Sequence, residues 1–122
     1  MLALKAILAR ADRVPTMIFD EVDSGIGGRV AAVVAQKLAA AAEGRQVLCV
    51  THLAPIAARA AHHVRVAKSV RGGRTRVSAE IVTGEARVEE IARMVAGDRV
   101  TETARGHARE LLGRPASRKR PV

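Results

Sequence analysis

The chain reads as an α/β fold, with parallel strands joined by crossover helices and a β-hairpin added to them. Three features predict it. Two short apolar runs, Thr16–Phe19 and Gln46–Val50, flank a segment of helical period. Each run ends directly on polar residues, Asp20-Glu21 after the first and Thr51-His52 after the second. Further on, the period changes to two around Gly72-Gly73.

Each element follows from its local pattern. Met1 to Ala11 is interrupted by Lys5 and Arg10, is shorter than the roughly 20 residues of a membrane span, and lacks a small-residue cleavage site. A chain that is soluble and unexported is expected. Thr16–Phe19 is a continuous apolar run, the pattern of a strand covered on both faces. From Gly28 to Ala42, the residues Val30, Val34, Leu38 and Ala41 recur at helical spacing. That connection is long enough for a right-handed crossover to a parallel strand at Gln46–Val50. Leu53 to Ala61 is a short Ala-rich helix that Pro55 opens in its first turn.

Val64, Val66 and Val70 then alternate with Arg65 and Ser69. Thr75, Val77, Ala79 and Ile81 alternate with Arg76, Ser78 and Glu80, which predicts a hairpin whose arginines face solvent. Past Gly84, Val88, Ile91, Ala92 and Val95 form one helical stripe that Gly97 ends. Thr101 to Leu112 is a last helix with Thr101 as N-cap and Gly113 as its stop. Pro115 to Val122 has too little apolar surface to fold and is expected to be disordered.

Composition narrows the function classes. The 122 residues suit one domain, and an apolar fraction of 48% with Phe19 as the single aromatic implies a core of Ala, Val, Leu and Ile. Marginal stability is expected. A net charge of +9, densest in the run Arg114–Val122, favours polyanionic partners, although a charged tail also serves solubility. Without exposed aromatic platforms, nucleic-acid contact is expected to be with phosphates and to weaken with salt. The lone Cys49 lies in an apolar strand and suits a reducing compartment. His62, His63 and His107 are not at metal-ligand spacing with Cys49 or one another, which argues against zinc.

The chemistry-bearing residues sit at the strand ends. In open α/β sheets, ligands gather beyond the carboxyl ends of the strands, where Asp20, Glu21 and His52 are expected to meet. Asp20 can orient a water on Mg²⁺, and Glu21, one residue later, can polarise an attacking water. The plainer alternatives are a solvated acidic turn and a structural, hydrogen-bonding His52.

This order of strand, Asp-Glu, Gly-rich turn, helix, strand and Thr-His resembles the second half of an ATP-binding-cassette ATPase head. Asp20-Glu-Val-Asp23 is similar to the SMC-like branch. Phe19–Gly28, Gly44–Leu53 and Arg87–Met94 together resemble the C-terminal end of RecN-type DNA repair proteins, and the likeness runs from Met1 to about Leu112. It implies a partial P-loop NTPase fold over residues 1–112, followed by a basic tail, 113–122. Asp20 would be the Walker B aspartate that holds Mg²⁺ through water, Glu21 the catalytic base, and His52 the switch histidine sensing the γ-phosphate of ATP. Asp23, Ser24 and Gly25 would belong to the D-loop, at the interface of two heads closed around ATP as a homodimer. Gly27 departs from the family pattern, standing where many such heads carry a D-loop Asp. The resemblance further implies a bacterial, cytoplasmic, nucleoid-associated ATPase that partners DNA in double-strand break repair and recombination.

No Gly-x-x-x-x-Gly-Lys-Ser/Thr, Gln-loop or Ser-Gly-Gly signature occurs in the sequence. The chain is therefore expected to start just after the signature of a larger ATPase and to be inactive alone. Two rival readings stand beside this one. Asp20–Asp23 also suits the acidic box of a helicase, but Val50-Thr-His-Leu53 replaces the Ser-Ala-Thr element such enzymes carry. The other rival is a non-catalytic basic α/β module that binds DNA or a partner ATPase head.

Overall fold

Alternation of short strands and amphipathic helices gives the elements in the expected order. The computed structural model describes residues 14–20 and 25–113. Its elements are β1 (Thr16–Phe19), α1 (Gly28–Ala41), β2 (Gln46–Cys49), α2 (Ala54–Arg59), β3 (Val64–Arg71), β4 (Arg74–Ile81), α3 (Gly84–Ala96) and α4 (Glu102–Gly113). The expectations for Met1–Ala11 and for the tail beyond Gly113 lie outside the described residues.

β1 and β2 pair in parallel, with Thr16 opposite Gln46 and Phe19 opposite Cys49. α1 is the connection between them. One face of this pair packs on the helices: Phe19, Ala31, Ala35, Leu38 and Ile56 are buried together, with Met17, Val47 and Cys49 against them. Full burial of a side chain such as Phe19 contributes about 1.5–3 kcal/mol. The other face is open, since Ile18 is 69% and Leu48 47% exposed. The expectation of a strand covered on both faces is thus corrected: among the described residues each strand has one neighbour, and helices cover one side only.

The α1 stripe is also corrected. Ala31, Ala35 and Leu38 are the buried positions, whereas Val30 is exposed. Alanines let the helix axis approach the sheet closely, with Val34 packed beside them and Val30 and Val33 left exposed on the flank.

α2 joins two cores. Its Ile56 packs toward the sheet, while Ala54, Ala57 and Ala58 pack with Val88, Ile91, Ala92, Ala104, Ala108 and Leu111 of α3 and α4. Gly97, at φ +78° and ψ −159°, takes a positive-φ conformation open to glycine where α3 ends, and its N–H donates to the Arg93 carbonyl at 2.8 Å. Val95 departs from the predicted α3 stripe, being 43% exposed. Thr101 Oγ1 accepts the backbone N–H of Ala104 at 3.1 Å, the expected N-cap of α4. Arg87 ties α3 to the end of α2, donating to the carbonyls of Ala57 (3.3 Å), Ala58 (3.5 Å) and Ala60 (2.6 Å). A cation there suits the negative end of a helix dipole.

β3 and β4 form the predicted hairpin, closed by Gly72 and Gly73 with φ of +57° and +72°. Two positive φ values in a two-residue loop match the twist of the strands. Its arginines face solvent as expected at Arg71, Arg74 and Arg76, and Arg65 is the departure. The face carrying Arg65 and Ala67 is the half-buried one, and the face carrying Val64, Val66, Val70, Val77 and Ile81 is exposed. Arg65 turns inward because Glu80, directly opposite, pairs with it and Glu90 lies 4.0 Å away.

Glu90 is 5% exposed and receives two hydrogen bonds from Arg93, at 2.9 and 2.6 Å. Those bonds hold its carboxyl below the ordinary range, against the opposing effect of burial. Beside it, burial lowers the His63 imidazole, with the Arg87 charge acting in the same direction. Both shifts place stability on the alkaline side. The unfolded chain takes up protons first, so the His63 contribution fades as pH falls below about 6.5, and the Glu90 contribution fades below about 4.3. Glu90→Gln is expected to lower stability at neutral pH by about 1–2 kcal/mol and to flatten the acid limb of thermal unfolding against pH. An acid limb identical to that of the unsubstituted chain rejects this role.

Candidate functional site at the carboxyl ends of β1 and β2

Parallel pairing decides which polar residues share a rim. The ladder ends at Phe19 and Cys49, and the Val50 N–H donates to the Phe19 carbonyl at 2.9 Å, extending the pairing by one residue. Asp20 follows β1 immediately, and Thr51-His52 follow β2 after Val50, so the structure brings them to the same end of the sheet. Asp20 and His52 are exposed, and Thr51 is half-buried. Thr51 Oγ1 accepts the Leu53 N–H at 3.0 Å, a local turn that redirects the chain into α2. α2 in turn is held from behind by Arg87.

Glu21, Asp23 and Ser24 lie outside the described residues. Gly25 is exposed and has φ +75°, the left-handed conformation of a tight turn, on the segment between β1 and α1. Gly27 is the N-cap of α1 in extended backbone, and its carbonyl accepts the Ala31 N–H at 3.0 Å. A Cβ at Gly27 would meet nothing within 4 Å among the described residues, so packing there does not demand glycine.

The described carboxylate at this rim is that of Asp20. Among the described residues no three His, Cys, Asp or Glu side chains gather into a metal cage. Mg²⁺ does not require one, because it keeps waters and is held by one or two carboxylates together with substrate phosphates. The exposed carboxylate of Asp20 fits that manner of binding.

One group of partners escaped the sequence reading. Glu90, Arg93, Arg65 and His63 gather where the hairpin root meets α3. The Glu90-x-x-Arg93 spacing is a signal of the helical pair, but nothing local foretells that β3 supplies Arg65.

No family model matches the chain. The chain is 52% identical over 120 residues to the DNA repair protein RecN of Treponema pallidum, an alignment spanning 98% of this chain and 21% of that protein. It is 54% identical over 112 residues to RecN of Deinococcus radiodurans, covering 92% of this chain and 19% of that protein. Against RecN of Bacillus subtilis the identity is 45% over 112 residues. The chain thus spans about a fifth of the length of these curated relatives. Among solved structures, an SMC ATPase from work on ATP-driven dimerization and DNA-stimulated activation superposes with a TM-score of 0.60 at 17% identity. That match covers 80% of this chain and 58% of the other.

Proposed function

Starting from a chain that is RecN-type in sequence and folded like part of an SMC-like ATPase head, we propose that it is the C-terminal portion of such a head. In this reading it carries the Walker B and switch-histidine half of an ATP hydrolysis site. One observation carries the reading: the parallel register of Phe19 with Cys49, which brings Asp20 and His52 to one end of the sheet. A fold without that register would scatter them.

In this reading bound Mg²⁺ supplies charge neutralisation for the phosphates of ATP. Asp20 orients the water through which that ion is held. Glu21 accepts the proton of the attacking water, and His52 donates a hydrogen bond to a γ-phosphate oxygen. Asp23, Ser24 and Gly25 form the D-loop facing a second head when two heads close around ATP. The head corresponds to residues 1–112 and the basic tail to 113–122. The parent protein would serve double-strand break repair and recombination in the bacterial cytoplasm, at the nucleoid, with DNA as its partner. No helix among the described residues is long and apolar enough to cross a membrane.

Reassembly tests the reading. The chain is joined behind the remaining portion of a RecN-type head that carries a phosphate loop, and phosphate release from ATP is measured. Hydrolysis well above that of either portion alone is the expected result. A folded, joined protein that neither retains nor hydrolyses ATP overturns it.

A further inference from the structure

Toward its tip the β3–β4 hairpin concentrates positive charge that no carboxylate among the described residues pairs with. On one face the cross-strand pairs are Arg65 with Glu80, Ala67 with Ser78, Ser69 with Arg76, and Arg71 with Arg74. At the root, Arg65 is matched by Glu80 and Glu90. Toward the tip there is no acid from Val66 to Ala79, while Lys68, Arg71, Arg74 and Arg76 are all exposed. None of these four has an ion-pair partner among the described residues. Four arginines of the helical half are engaged by contrast: Arg87 with carbonyls, and Arg93, Arg105 and Arg109 with carboxylates.

Like charges directly opposite one another on a β-ladder destabilise it. Arg71 and Arg74 are held in that position by the Gly72-Gly73 turn, and Arg76 follows on the same face, about 6.8 Å further along the strand at two residues' rise. Three guanidinium groups on one face of a two-stranded ribbon make a fork suited to oxyanions, since guanidinium binds phosphate oxygens in bidentate fashion.

The kind of polyanion follows from what is missing beside the fork. Single-stranded nucleic acid is commonly held by stacking bases on aromatic rings. The single aromatic of this chain, Phe19, is 2% exposed and belongs to the other core. We propose that the Arg71, Arg74 and Arg76 end of the β3–β4 hairpin is a docking surface for the phosphate backbone of duplex nucleic acid. The inference deepens the DNA part of the reading above by giving it a surface, and it is independent of the hydrolysis assignment.

The experiment uses the whole chain and a fluorescent 30-base-pair DNA duplex, with anisotropy titrations over a series of salt concentrations. R71Q/R74Q/R76Q is compared with a charge-matched variant, R29Q/K37Q/R99Q, drawn from exposed cations elsewhere. The hairpin variant is expected to bind at least about 10-fold more weakly, and its log–log salt slope to fall by up to about 2.7, at about 0.9 per phosphate contact. The charge-matched variant is expected to keep most of both. Circular dichroism checks folding, and R71Q/R74Q serves if the triple variant loses structure.

Equal weakening in the two variants overturns the proposal, because the attraction is then diffuse. So does undiminished binding by the hairpin variant, tighter binding of a single strand than of the duplex, or competition by polyglutamate as effective as by duplex at equal charge. No binding by the unsubstituted chain at low salt sinks both this surface and the DNA part of the proposed function. Binding that survives the hairpin substitutions sinks the surface alone.

Discussion

Glu21→Gln is expected to stop ATP turnover in the reassembled head, by about 10²–10⁴-fold, the range over which a positioned general base acts. Glutamine keeps the size of the side chain and loses only its ability to accept a proton. ATP retention should therefore remain close to that of the unsubstituted protein, and measuring phosphate release beside nucleotide retention separates the two. Asp20→Asn gives the contrast: its carboxylate is assigned to the Mg²⁺ water, so retention should become less dependent on Mg²⁺ as turnover falls. His52→Ala should lower turnover by about 10²-fold, the cost of one lost donor to developing charge. Turnover in Glu21→Gln equal to that of the parent removes the catalytic assignment. Loss of retention together with turnover moves Glu21 to nucleotide binding instead.

The rim was readable in advance because it depends on order along the chain. A short apolar run followed at once by polar residues, repeated after one helical segment, predicts strand ends that coincide if the strands are parallel, and the register of Phe19 with Cys49 shows that they are. What local pattern could not supply was which face meets what. Alanine counts weakly as an apolar signal, so the predicted α1 stripe of Val30, Val34, Leu38 and Ala41 includes the buried Leu38 and the core-flanking Val34 but misses Ala31 and Ala35. Arginines on a hairpin read as solvent-facing until a partner is known. Arg65 turns inward because Glu80 comes from the other strand and Glu90 from a helix further along. Burial of a charge depends on distant partners, and those are fixed only by the tertiary fold.

The same limits bear on stability. The open faces of both two-stranded sheets leave Ile18, Leu48, Val66, Val77 and Ile81 in water, so hydrophobic stabilisation must come mainly from the helical side. There Ile91 is the largest side chain that is wholly buried, and its surroundings include Ala57, Ala58, Ala92, Ala104 and Ala108. Alanine has no rotamer with which to fill a void, so Ile91→Ala should leave most of its cavity open. The expected cost is about 3–5 kcal/mol, the upper part of the range for such truncations. Small domains hold only about 5–15 kcal/mol in total, and this one has little apolar burial to spare. The substitution should therefore abolish or nearly abolish the cooperative urea transition at 25 °C. Val95→Ala, on the same helix but 43% exposed, is expected to cost under about 1 kcal/mol and serves as the comparison. A midpoint for Ile91→Ala no lower than that for Val95→Ala, or an unsubstituted chain without any cooperative transition, would show that the α2–α3–α4 cluster is not what holds the fold.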